Sequence, residues 1–211
     1  MNPVSDNMTT TPTIAEDAPA TPELRCRILT IAERLFREIG YRKTTVADIA
    51  AALRMSPGNV YRFFPSKKAL NESVAELLLG EIEAELESIA ARRGAGAGER
   101  LRAFLSALHA MSAERFTIDR RMHEMVEVAM AESWEVVHRY NARVNELLCR
   151  LVAEGMATGE FAAGDPKVAA RCIHSAIVRF CHPALIAQCA GEPGPTVDEM
   201  ARFLLEGLRS R

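Results

Sequence analysis

The sequence predicts an all-α protein of about nine helices, with a small three-helix unit at its N-terminal end and a larger helical body behind it. Three observations carry this. Apolar residues recur at helical spacing along most of the 211 residues. Helix-start signals, an N-cap residue followed by proline or a capping box, precede these runs at Thr21-Pro22, Thr45, Ser56-Pro57, Ser66, Asp165-Pro166 and Thr196. No segment alternates convincingly in the manner of a half-buried strand.

Residues 1–20 are rich in Thr, Pro and Ala, lack a basic lead into an apolar stretch, and read as a disordered tail rather than a targeting peptide. Thr21-Pro22 opens a first helix, whose stripe of Ile28, Ile31, Ala32, Leu35, Phe36 and Ile39 runs until Gly40. Thr45 with Asp48 opens a short second helix carrying Val46, Ile49, Ala50 and Leu53. Ser56-Pro57 opens a short third with Val60, Phe63 and Phe64, which Pro65 ends. Ser66 caps a long fourth helix, from Leu70 through Ile89, and the stretch Gly94 to Gly98 breaks it. A fifth follows through Leu101, Phe104, Leu105, Leu108 and Met111, a sixth through Met122, Met125, Val126 and Ala129, and a seventh from Val137 to Val152. Gly159 to Gly164 is a turn, Asp165-Pro166 starts an eighth helix running to about Ala190 with a bend at Pro183, and Thr196 to Glu199 caps a ninth. The division expected is residues 21–66 for the small unit and 67–211 for the body.

Composition narrows the function. With 26 basic and 28 acidic residues the net charge is −2, yet residues 22–70 hold ten basic side chains against four acidic ones. A surplus of six positive charges in one segment of an acidic chain points to a polyanionic partner. Two short helices joined by a few residues around Arg54 have the proportions of a helix-turn-helix, whose second helix enters the major groove of double-stranded DNA. The chemistry agrees. Ser56, Pro57 and Gly58 allow close approach, while Asn59 and Arg62 are of the types that read adenine and guanine edges. Thr44, Thr45, Tyr61, Ser66 and Lys67 are hydroxyl or ammonium donors suited to phosphates.

Thr44-Thr-Val-Ala-Asp-Ile-Ala50 followed by Met55-Ser-Pro-Gly-Asn-Val-Tyr-Arg-Phe-Phe-Pro-Ser-Lys-Lys-Ala-Leu70 closely resembles the DNA-binding region of the TetR family of bacterial transcriptional repressors. The family's phosphate-facing tyrosine, aromatic pair and Ser-Lys fall on Tyr61, Phe63, Phe64, Ser66 and Lys67. Arg54 departs from the pattern, because the family often places glycine in that turn; it offers an additional phosphate contact. The resemblance implies a ligand-responsive repressor acting on operator DNA, a homodimer formed by the last two helices, and a small-molecule effector cavity among the central helices.

For that effector the sequence offers Phe104, Met111, Met122, His123, Met125, Val126 and Trp134 on the central helices, with His174 and Val178 on the eighth. Core filling is the competing reading for each. Asp119, His123 and Glu127, spaced four apart, place three potential ligands for a divalent metal on one helical face, and His174 with His182 could complete a site for zinc or nickel. A solvated face with a His–Glu pair is the plainer reading, and no cofactor is otherwise expected. The alternative functions are a metal-responsive regulator or a helical metal-dependent enzyme on those residues; the nucleophile elbow, HExxH, phosphate loop and dinucleotide fingerprint are all missing from the sequence. Five scattered cysteines without a CxxC pair, and no apolar run of membrane-spanning length, suggest a cytoplasmic protein.

Overall fold

The computed structural model describes residues 21–116, 125, 128 and 135–209. Among them the elements are α1 (Pro22–Ile39), α2 (Val46–Ala52), α3 (Pro57–Phe63), α4 (Lys67–Ala90), α5 (Ala97–Phe116), α6 (Glu135–Ala157), α7 (Pro166–Cys181), α8 (Pro183–Gln188) and α9 (Val197–Leu208). The β interaction found among the described residues is an isolated bridge between Phe161 and Arg209. The expected N-terminal tail lies outside the described residues, as does the helix around Met122, apart from Met125 and Val128, both helical, of which Met125 is buried.

The caps form where the sequence places them. Thr21 Oγ1 accepts from the Leu24 N–H at 3.2 Å, Ser66 Oγ from Ala69 at 3.0 Å, and Asp165 Oδ1 from Lys167 at 2.8 Å. Thr45 with Asp48 and Thr196 with Glu199 are complete capping boxes.

Two elements differ from expectation. The glycine-rich break ends earlier than Gly98, because α5 begins at Ala97. Its start is set from far along the chain: the Glu160 carboxylate accepts from the backbone N–H of Ala97 (2.7 Å) and Gly98 (2.9 Å). These are orphan donors of a helix's first turn, which local sequence leaves without a partner. The expected eighth helix breaks at Pro183 rather than bending. His182 takes an extended ψ of 119°, as a residue before proline does, and α8 starts afresh.

The helices enclose two apolar cores. Ile28, Ala32, Phe36, Ile49, Ala50, Val60 and Phe64 of α1 to α3 pack with Leu70, Val74 and Leu78 of α4 in the head. Ile82, Leu86 and Ile89 of the same helix continue into the body core with α5, α6, α7 and α9. Leu79 touches both cores, so α4 is one rod shared between them. The head core therefore draws on α4 past residue 66: Ser66 marks a helix start, while the packing boundary at Leu79 lies between three and four turns further on.

The turn between α2 and α3 has an unusual residue. Arg54 adopts φ 56°, alone among the described non-glycine residues in the left-handed region. Its N–H donates to Ala51 O (3.0 Å) and the Met55 N–H to Ala50 O (3.0 Å), the paired bonds that close a helix through a left-handed residue. An L side chain there costs about 1–2 kcal/mol, offset in part by the unfolded-state entropy of glycine. Arg54→Gly is expected to stabilise the chain by roughly 0.5–1 kcal/mol in urea unfolding; equal or lower stability would mean the strain is compensated at Arg54 itself.

Candidate nucleic-acid interface and effector cavity

In α3 only one side is used for packing. Val60 is fully buried and Phe64, at the C-cap, nearly so, and both face the head core. Pro57, Gly58, Tyr61 and Arg62 are left exposed, with Asn59 half-buried. Tyr61 is 48% exposed, an unusual position for a large aromatic ring. Thr45, Arg54, Ser56 and Ser66 are exposed as well. Between Tyr41 and Leu70 six basic residues accompany a single acidic one, Asp48. That carboxyl is held below its ordinary range by hydrogen bonds from the Thr45 side chain and backbone. The segment thus presents hydroxyls, an amide and guanidinium groups with little opposing charge, the inventory of a phosphate-positioning and base-reading surface.

Two residues expected to meet phosphate are placed otherwise. Thr44 is fully buried, and its hydroxyl donates to the carbonyls of Gly40 (2.8 Å) and Leu35 (3.3 Å), so it ties the end of α1 to the following turn. Lys67 folds back over the Tyr41 ring at 5.1 Å, with Nζ donating to Tyr41 O at 3.1 Å. Burial pulls this ammonium below its ordinary pKa, and Asp48 partly restores it. Arg25 makes a similar tie, lying over the Phe64 ring at 4.9 Å and donating to Ser73 Oγ at 3.2 Å. Lys67→Met, which keeps the stem but loses the charge, is expected to cost about 1–2 kcal/mol of stability. Unchanged unfolding together with weakened DNA binding would return Lys67 to the phosphate-contact role.

Behind the head, four long helices surround a cavity of about 480 Å³, a volume suited to a small-molecule ligand. Ala75 and Leu79 of α4 and Leu108 and Ser112 of α5 form one side. Val137, Tyr140, Asn141 and Val144 of α6 form another, and His174, Ser175, Val178 and Cys181 of α7 a third. Met125, His182 and Pro183 complete the lining. Of the expected ligand residues, Met125, His174 and Val178 line this cavity. Phe104 is fully buried in helix packing and Met111 packs on the same core, so neither reaches the cavity. Met122, His123, Val126 and Trp134 lie outside the described residues, and so do Asp119 and Glu127 of the expected metal set. His174 and His182 both line the cavity, and among the described residues no group of three or more metal-ligating side chains forms.

Tyr140 and Ser112 escaped sequence reading. Tyr140 stands on the stripe that carries Val136, Val144 and Leu148, and a tyrosine there reads as core. Its environment is apolar enough to push the phenol far above its usual pKa, and burial drives the Cys181 thiol up to about 12. Burial also lowers the His174 pKa, favouring the neutral imidazole. No described lining residue is Asp, Glu, Lys or Arg. Among the described residues no helix is long and apolar enough to cross a membrane.

Comparison with known proteins assigns both halves. Residues 28–74 match bacterial regulatory proteins of the tetR family, and residues 97–196 match the tetracyclin repressor-like C-terminal domain. The HTH-type transcriptional repressor KstR2 of Rhodococcus jostii is 28% identical over 212 residues, spanning 95% of this chain and 98% of its own. A TetR/AcrR-family transcriptional regulator from Thermobifida fusca is 26% identical, with a TM-score of 0.61 over 89% of this chain and 100% of that one. A transcriptional regulator from Cytophaga hutchinsonii shares the fold at 18% identity, with a TM-score of 0.66 over 90% of this chain and 100% of its own. Members of this group are DNA-binding transcription factors and not enzymes. A basic helix-turn-helix head carried on an all-helical body, matched in both parts, makes the chain a member of the TetR family of transcriptional regulators.

Proposed function

We propose that the chain is a repressor that occupies operator DNA as a homodimer and leaves it when a small molecule fills the central cavity. The observation that carries this reading is a pair of shared residues: Ala75 and Met125 belong to the head core and are at the same time walls of the cavity. A ligand packing on them acts on α4, which packs against α1 and shares the head core with α3. Such a ligand shifts occupancy only by its difference in affinity between the two states, and about 5.5 kcal/mol of difference takes the operator from nearly full to nearly empty. Repression, rather than activation, is supported by the description of KstR2 as a repressor.

Dimerisation is supported by the apolar surface left on α7 and α9. Ala201 and Leu205 turn inward from α9, whereas Phe203 is 71% exposed, and Val168 of α7 is exposed too. An apolar face of this kind is self-complementary about a twofold axis. It sets two copies of α3 into successive major grooves, about 34–36 Å apart. The test is fluorescence anisotropy with DNA from upstream of the chain's own coding region, together with sedimentation. The expected result is a dimer whose log affinity falls linearly with log salt, by about 0.9 per neutralised phosphate, and which prefers this DNA over scrambled sequence. A monomer, or binding indifferent to salt and sequence, would refute the reading.

A further inference from the structure

The cavity carries information about its ligand. Its described walls contain no formally charged side chain, and their aliphatic part comes from Ala75, Leu79, Leu108, Val137 and Val144. Against this background stand hydrogen-bonding groups that include Ser112, Asn141, Ser175 and His182; the Tyr140 hydroxyl on α6 and the His174 imidazole on α7 are two more, both half-buried, and neither forms a hydrogen bond among the described residues. Polar groups that face a largely apolar cavity are satisfied there by water or by a ligand when the protein offers no partner.

We propose that the cavity takes an uncharged, mostly hydrocarbon effector whose hydroxyl or carbonyl oxygen bonds to Tyr140 and His174, and that it rejects the same skeleton bearing a carboxylate or a quaternary ammonium. This rests on the reading of the chain as an effector-released repressor. The physical argument is one of desolvation. A hydroxyl or carbonyl entering the cavity exchanges water for two protein partners, at little net loss. A carboxylate entering it loses its hydration and finds no cation on the described walls, and an ammonium finds no carboxylate there. Burial opposes ionisation of Tyr140, of Cys181 and of His174 alike, so none of these three supplies a counter-charge to either ion. A neutral Tyr140 hydroxyl can donate, and a neutral imidazole can donate from one nitrogen and accept at the other, so both an alcohol and a ketone are served. Sites built to pair a ligand oxygen discriminate strongly against analogues that leave those groups unpaired.

Three probes with the same ten-carbon chain isolate the head group: 1-decanol, decanoate and decyltrimethylammonium, each competed against Nile red on the full-length protein at pH 7.5. Decanol is expected to displace the dye at a concentration at least tenfold below that of either ion. Tyr140→Phe and His174→Phe are each expected to weaken decanol about five- to tenfold while leaving Nile red uptake intact, which shows that fold and cavity survive. Decanoate or the ammonium binding as tightly as decanol overturns the proposal. So does displacement by none of the three, or unchanged decanol affinity in both variants, since water alone then satisfies the two groups. A parallel measurement of upstream-DNA binding separates the two claims. Release by the ions but not by decanol sinks the ligand class alone; the expected ranking with DNA binding untouched at saturation by all three counts against effector release instead.

Discussion

Gly155→Ala is expected to destabilise the chain by about 3 kcal/mol, although alanine is the better helix former by about 1 kcal/mol. Gly155 lies in α6, where a Cβ would stand 2.2 Å from Cδ2 and 2.4 Å from Cε2 of Phe161. These distances are far inside van der Waals contact, so one of the two must move. The helix cannot move easily, because Val152 and Leu151 beside Gly155 are fully buried. Nor can the ring. Phe161 is 2% exposed, its N–H donates to Gly155 O at 3.0 Å, and the next residue donates to Leu208 O at 2.7 Å, which pins the loop to the end of α9. Overpacking alone typically costs 1–3 kcal/mol, and the lost anchoring of α9 adds to it. In a chain of this size about 3 kcal/mol lowers the melting temperature by about 6–12 °C. The same substitution placed in a Phe161→Ala background is expected to be neutral or stabilising, since the obstacle is gone and the helix propensity of alanine remains. A single variant as stable as the parent would show that the loop after α6 yields freely.

The contrast between Gly155 and the capped helix starts explains how much could be read in advance. Thr21, Thr45, Ser56, Ser66, Asp165 and Thr196 act within three residues of themselves, so their caps are written locally, and every helix they open starts where the spacing puts it. The start of α5 is not local. It depends on Glu160, more than sixty residues away, and glycine in a run of glycines gives no hint of a carboxylate arriving from another helix end. Gly155 reads as a weak point of α6 until the ring across it is seen. The same division holds at the functional surfaces. Residues of α3 were legible because a short helix with few apolar positions must leave the others outward. Thr44 and Lys67 sit differently from that expectation because donor chemistry in sequence does not reveal whether a carbonyl inside the protein already accepts the hydrogen bond. Tyr140 was hidden for the opposite reason, since a hydroxyl on an apolar stripe looks like core until the space beside it is found.

A charge placed on α3 gives the sharpest separation of folding from DNA binding: Gly58→Glu is expected to leave stability unchanged or slightly raised and to reduce operator affinity at least a hundredfold. Stability is argued from space and from the first turn. A Cβ on Gly58 has Ser56 Oγ at 3.7 Å as its nearest neighbour, an ordinary contact, and the residue is exposed. Glutamate propagates helix better than glycine and is favoured in a helix's first turn, which in α3 holds no acidic residue of its own. Binding is argued from charge. The new carboxylate stands beside Tyr61 and Arg62 on the exposed side of α3, where the duplex phosphates would lie. Like charges brought together at an interface cost several kcal/mol, and a dimer brings two of them. A loss of only 1.4 kcal/mol in each subunit, about 2.8 kcal/mol together, already gives a hundredfold. Gly58→Gln, of the same bulk, is expected to recover much of the affinity, and the difference between the two variants should shrink as salt is raised, because screening acts on the charge and not on the volume. Parental operator affinity in the glutamate variant, at equal stability, would mean that α3 is not the element that enters the groove.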